Sequence, residues 1–215
     1  MAGSEVGWAI VVPVKRLVLA KTRLVVTADL RPVLALAMAV DTVQAALRCA
    51  RVVGVVAVTD DEGAQPLLVD AGAVVTADEP DSGLNPALVH GAEIATRTFG
   101  TTAVAALSSD LPALRAEELA VVLAAAQRPR LSMVGDWSGT GTTLLAARTA
   151  DAFAPAYGPD SRAAHRRQGA VDLTAIAGAS VRHDVDTTDD LRAVAELGCG
   201  EATAAVLASH PELIA

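Results

Sequence analysis

Apolar residues recur along this chain in two rhythms. Largely apolar runs at 8–14, 52–58, 73–77, 103–108 and 131–136 have the length of strands, and 52–58, apolar almost throughout, suits one covered on both faces. Between them the spacing changes. Leu36, Val40, Val43 and Leu47 fall at three- and four-residue steps and predict a helix over 29–50, with Pro32 in its first turn. Leu119, Val122, Leu123 and Ala126 predict another over about 115–127. Shorter helices are expected at about 64–71, from Asn85 as N-cap and Pro86 as first residue to about 98, and from 161 to near Gly169.

Toward the end of the chain, Gly139-Thr140-Gly141-Thr142 is a turn between the 131–136 strand and one at 143–147. Turn residues alone separate this pair, so it adds one antiparallel strand. Val181–Val185 reads as a last strand. Thr187 and Asp190 have capping-box spacing ahead of a helix to Leu197; Gly198–Gly200 breaks it, and a terminal helix runs to about Ser209. The alternation predicts α/β: a three-layer α/β/α sandwich on a mostly parallel mixed sheet, in one domain over 1–215.

Such sheets bind ligands beyond the carboxyl ends of their strands. Four cations, Lys15, Arg16, Lys21 and Arg23, lie within nine residues after the first strand of a chain whose net charge is −8. A basic loop there suits a polyanion such as a nucleoside triphosphate, although a solvated loop feeding a helix has the same composition. Asp110 and Asp186 each follow an apolar strand, and parallel strand ends share one edge. Two converging carboxylates with substrate phosphates are a common way to hold Mg²⁺; each aspartate also fits a turn or cap. Asp184 is the lesser candidate, expected to point away from the side of Asp186. Gly158-Pro159-Asp160-Ser161 opens a helix with a glycine turn and a hydroxyl, an arrangement that takes up phosphate or carboxylate. His165 lies one turn further on the same face.

Composition narrows the classes. Net acidity without a broad basic face argues against nucleic acid as a partner. No run reaches the ~18 uninterrupted apolar residues of a membrane span. The opening Met-Ala-Gly-Ser-Glu lacks the basic-then-apolar form of a signal peptide. Cys49 and Cys199, the two cysteines, have no metal-like spacing and read as reduced packing residues of a cytoplasmic protein. Neither G-x-x-x-x-G-K-[ST] nor G-x-G-x-x-G follows the first strand, which disfavours P-loop ATPases and ordinary dinucleotide dehydrogenases.

Taken in order, Val12-Pro13-Val14-Lys15 with Ala20-Lys21-Thr22-Arg23-Leu24, Gly83-Leu84-Asn85, Asp110-Leu111-Pro112, Gly139-Thr140-Gly141-Thr142, Gly158-Pro159-Asp160-Ser161 with His165, and Asp184-Val185-Asp186-Thr187 resemble the guanylyltransferase family of coenzyme F-420 biosynthesis, CofC in archaea and FbiD in actinobacteria. The resemblance covers nearly the whole chain and is closer to the actinobacterial branch. It implies a fold like the molybdopterin-guanine nucleotidyltransferases, without their glycine-rich first loop. It implies transfer of GMP from GTP to phosphoenolpyruvate, with 2-phospho-L-lactate or 3-phospho-D-glycerate as alternative acceptors and a non-catalytic nucleotide-binding regulatory domain as the competing class. Carried over by position, Asp110 and Asp186 are the Mg²⁺ ligands, and Thr142, Gly158 and Ser161 the acceptor contacts. His165 and Lys21 take electrostatic roles toward acceptor and nucleotide. Guanine recognition is expected at the Thr59–Gly63 loop and at Gly83 and Asn85. Hand-over of the product to the next enzyme of the pathway stays open.

Overall fold

The computed structural model describes residues 7–15, 24, 27 and 29–214. Within them, seven strands form one sheet: β1 (Trp8–Pro13), β2 (Val52–Val58), β3 (Val74–Thr76), β4 (Val104–Leu107), β5 (Leu131–Gly135), β6 (Thr142–Ala147) and β7 (Val171–Asp172). Their order is β3-β2-β1-β4-β6-β5-β7. Only β6 runs against its neighbours β4 and β5; the other pairings are parallel. The helices are α1 (Leu30–Arg48), α2 (Ala64–Asp70), α3 (Leu84–Phe99), α4 (Ala116–Ala125), α5 (Ser161–Arg167), α6 (Ala179–Arg182), α7 (Thr188–Leu197) and α8 (Glu201–Ser209). The expected three-layer mixed sheet is thus what forms.

The central strands β1 and β4 are apolar because both of their faces are covered. Trp8, Ile10 and Val12 enter the core shared with α1, α2 and α4, while Ala9 and Val11 enter the core under α3. Such alternation is the two-residue period of a pleated strand. Small residues set the layer spacing. A Cβ on Gly91 of α3 would stand 2.6 Å from both Val11 Cγ1 and Val58 Cγ2, so α3 lies directly on β1 and β2. A third cluster joins α1 to α7 and α8 through Leu34, Met38, Leu191, Val194 and Leu207. Helix α1 has the length and apolarity of a membrane span, but half of it is buried, and it packs as the core helix between sheet and α8.

The expected strand at 181–185 does not form. Val181 packs into the sheet core, and Val185, four residues on, into the α1–α7–α8 cluster. A single strand face cannot serve both; a helical turn, α6, followed by an irregular connection does. The place at the sheet edge is taken by the two-residue β7 beside β5. Asn85 is likewise not the N-cap of α3 but its second residue; Gly83, at φ 106°, takes that position, a backbone that glycine adopts without strain. The capping box before α7 is present in both directions, Thr187 with Asp190.

Candidate active site

The parallel strands and the reversed β6 place one kind of loop at one edge. The carboxyl ends of β1, β2, β4 and β5 and the start of β6 all open there. A cleft of about 960 Å³ occupies this edge, a size typical of small-molecule sites.

One wall is acidic. Asp110, Asp184 and Asp186 all line the cleft. One contact joins their segments and another anchors the Asp110 turn to α1. The N–H of Val185 donates to the Asp110 carbonyl at 3.1 Å, and the buried Thr42 hydroxyl on α1 accepts from Leu111 N–H at 3.1 Å while donating to Met38 O at 2.8 Å. Asp184 was expected to point away from Asp186; that expectation misapplied strand alternation, which puts residues two apart on one face, and both line the cleft. Burial, followed by the charges of Asp110, Asp186 and Asp136, pushes the Asp184 carboxyl up to about 8. Negative charge is therefore concentrated here beyond what the wall itself neutralises. Hard carboxylate oxygens in this setting fit a divalent cation, which would offset that repulsion.

The opposite wall is the 136–142 loop against the 157–161 turn. Asp136 shapes the loop from within: its carboxylate accepts from Gly139 N–H (2.7 Å) and the Ser138 hydroxyl (2.8 Å). A Cβ on Gly141 would stand 2.6 Å from Asp136 Oδ2, so the glycine permits this turn. Arg162 on α5 donates to Gly139 O and to Asp172, tying the loop to β7. Arg182 donates to the carbonyls of Gly135 and Asp136 and lies 5.1 Å from the centroid of Trp137, which stacks on His183. None of Asp136, Trp137 or Arg182 carried a sequence signal as a site residue; the fold alone brings them to the cleft wall.

Thr142, Gly158 and Ser161 come together on this wall. Two amides that the start of α5 would offer to an anion are already bonded, Ser161 N–H to Gly158 O and Arg162 N–H to Thr140 O. The anion-binding helix start expected there is thus corrected in part: hydroxyls carry more of the wall's donor capacity. His165 is fully buried behind Thr142. Its Nδ1 lies 3.0 Å from the Thr142 hydroxyl and its Nε2 accepts from Ala156 N–H at 2.9 Å. The acceptor contact expected of His165 is therefore replaced by contacts within the protein. Burial lowers its pKa to about 4, so the ring is neutral near pH 7.

On the expected nucleotide side, Lys15 is exposed and lines the cleft. Arg16, Lys21 and Arg23 lie outside the described residues. Thr59 is buried and accepts from Asp61 N–H, and it is Leu84, between Gly83 and Asn85, that reaches the cleft. The Asn85 amide spans both backbone groups of Tyr157, donating to its carbonyl (3.0 Å) and accepting from its N–H (2.8 Å). Asn85 thus ties α3 to the 157–161 turn, and Thr59 supports its own loop.

Comparison with known proteins agrees with this architecture. Among solved structures, a candidate nucleotide-diphospho-sugar transferase from Desulfovibrio desulfuricans superposes with a TM-score of 0.70 at 20% identity, over 96% of each chain. A cytidylyltransferase from Leptospira borgpetersenii gives 0.55 at 13% identity, over 98% of this chain and 96% of that one. These likenesses carry the fold. At the level of sequence, the phosphoenolpyruvate guanylyltransferase of Streptomyces coelicolor is 54% identical, covering 94% of this chain and 96% of its own. That of Thermomonospora curvata is 52% identical, covering 97% and 92%. The model of the family described as "Guanylyl transferase CofC like" matches residues 8–209, and with that match spanning strand β1 to the end of α8, the chain belongs to the CofC-like guanylyltransferase family.

Proposed function

We propose that this chain, acting as a single nucleotidyltransferase domain, transfers GMP from GTP to phosphoenolpyruvate, giving enolpyruvyl-diphospho-5'-guanosine and pyrophosphate. The observation that carries the reading is the two-walled cleft: carboxylates at Asp110, Asp184 and Asp186 face a hydroxyl wall at Thr142 and Ser161, in a member of a guanylyltransferase family. One wall suits a cation with a triphosphate, the other a small acidic acceptor.

In the reaction an acceptor phosphate oxygen forms a bond to the α-phosphorus of GTP as the bond from that phosphorus to the oxygen bridging to the β-phosphorus breaks. The electron pair leaves with pyrophosphate. The attacking oxygen is already anionic near neutral pH, so no protein base is needed, and positioning with charge neutralisation does most of the work. Asp110 and Asp186, with Asp184 beside them, would hold Mg²⁺, which supplies charge neutralisation on the triphosphate. Lys15 lines the cleft beside them and adds positive charge. Thr142 and Ser161 hold the acceptor. Gly158, at φ 149° with nothing within 4 Å of a Cβ position, leaves its backbone open to close approach.

The test is pyrophosphate release from GTP and Mg²⁺ with phosphoenolpyruvate and 2-phospho-L-lactate offered separately, and ATP as the control nucleotide. Turnover with phosphoenolpyruvate and GTP is expected. Turnover with phospholactate alone would replace the acceptor. Binding of GTP with no pyrophosphate from any acid, even with the next enzyme of the pathway added, would replace transfer by nucleotide sensing.

A further inference from the structure

The Thr142–His165 pair has a defined hydrogen-bond polarity. A backbone N–H can only donate, so the Ala156 contact at 2.9 Å makes Nε2 of His165 an acceptor. In a neutral imidazole the proton is then on Nδ1. Nδ1 faces the Thr142 hydroxyl at 3.0 Å and must donate to it. A hydroxyl that accepts from the ring keeps its own hydrogen for another partner. Thr142 lines the cleft, at the first position of β6.

We propose that His165 is a positioning residue for the acceptor: by donating from Nδ1 to Thr142 it orients the threonine hydroxyl as a hydrogen-bond donor into the cleft, selecting an anionic oxygen of the acceptor over a neutral donor group. The proposal deepens the acceptor-site reading above and rests on it. Its supports are geometric. The ring has no exposure to solvent, and Tyr157 packs edge-on against it, centroids 5.1 Å apart. Asn85 in turn fixes Tyr157 through both backbone groups. The imidazole therefore cannot swing to a second arrangement without breaking several contacts. Its burial, which favours the neutral form, keeps the one-donor, one-acceptor state that the relay needs.

The two ring nitrogens can be replaced separately. In His165→Asn the side-chain amide nitrogen stands near the place of Nδ1 and keeps the donor to Thr142. In His165→Gln the longer amide reaches toward Ala156 and loses it. The expected result is an acceptor KM close to wild type for His165→Asn and roughly tenfold higher for His165→Gln and His165→Leu, the scale of one hydrogen bond, with the GTP KM unchanged in all three. On a Thr142→Val background the same substitutions should change acceptor KM no further. Imidazole ¹⁵N chemical shifts should also report the Nδ1–H tautomer in the wild-type protein. A Gln variant that outperforms Asn, equal losses on the Thr142→Val background, or an Nε2–H tautomer would overturn the positioning role. If Thr142→Val itself leaves acceptor KM unchanged, the acceptor-site reading fails and the proposal with it.

Discussion

The N–H of Val185 donates to the carbonyl of Asp110 across 3.1 Å, and this one bond joins the turn after β4 to the segment between α6 and α7. Residues that flank it, Asp110 itself with Asp184 and Asp186, then share a wall of the cleft. Asp110→Ala or Asp186→Ala should therefore lower turnover by at least ~100-fold, beyond the usual loss from altering a group outside the metal's own ligands. The backbone bond survives either change, so the melting profile should stay close to wild type. Pyrophosphate release alongside thermal unfolding checks both, and near wild-type rates would remove these carboxylates from the metal site.

Thr42 acts on the same turn from below. Its hydroxyl is the acceptor for Leu111 N–H, one residue past Asp110. Thr42→Val keeps the shape and leaves that buried amide without its partner, at a cost of about 1–3 kcal/mol. Urea unfolding should show a loss of this size, accompanied by a drop in kcat that Thr42→Ser restores. If Val and Ser variants behave alike in both measurements, the hydroxyl does not hold the turn.

How much of this was legible in the sequence depends on what each residue needed. Runs such as Val52–Val58 are apolar because both faces of the strand are covered, and that requirement is written locally. Asp110 could be placed because it follows a strand of known direction, whereas Thr142 was placed by the family resemblance. The stretch 181–185 was misread because two valines four residues apart, around Arg182, His183 and Asp184, do not say whether they enter one core. Val181 and Val185 belong to different cores, and only packing separates them. Asn85 shows the same limit. Its cap-like position beside Pro86 is local, but its partner Tyr157 is 72 residues away.

Ser161 is buried at the first position of α5 and lines the cleft, on the wall proposed to hold the acceptor. Ser161→Ala should raise acceptor KM by roughly tenfold, the scale of one lost hydrogen bond to a charged group, and leave GTP KM nearly unchanged. Steady-state kinetics with each substrate varied in turn decides it. An equal rise in both constants would place Ser161 with the nucleotide or with the fold.

His165 gives the protein a pH dependence of stability with a definite sign. Its pKa is lowered by burial to about 4, against ~6.5 for an unfolded histidine. Between those values the unfolded chain binds the proton and the folded one does not, so stability falls as pH drops through that window, by up to about 1.4 kcal/mol per pH unit. Above ~pH 7 this contribution is flat. Carboxylates titrate over part of the same range, so the useful quantity is the difference between wild type and His165→Asn. Urea midpoints from pH 7 to pH 4.5 should fall more steeply for wild type than for the variant. Parallel curves would mean that the ring is not held neutral.

Asp41 ties the last helix to the first, and its removal is expected to be costly although it does not line the cleft. The residue lies inside α1 and is only 2% exposed, where a carboxylate without partners would be strongly disfavoured. Its partners are the first amides of α8: Ala202 N–H on Oδ1 at 3.0 Å and Thr203 N–H on Oδ2 at 2.8 Å. A Cβ on Gly200 would come within 2.3 Å of Asp41 Cγ, so glycine at that position lets the carboxylate reach the helix start. The arrangement does the work of an N-cap from a distant element, and the helix dipole favours the charge. Asp41→Ala leaves two amides at the start of α8 without their acceptor, for a loss of about 2–4 kcal/mol in urea unfolding. Asp41→Asn keeps one acceptor oxygen and should lose about half as much. No residue of α8 lines the cleft, and its start meets the 110–112 turn only through Pro112 O, which accepts from Gly200 N–H, so the KM values of the folded fraction should move little. A stability loss below ~0.5 kcal/mol for Asp41→Ala, the scale of an ordinary surface substitution, would show that the α8 amides find other partners.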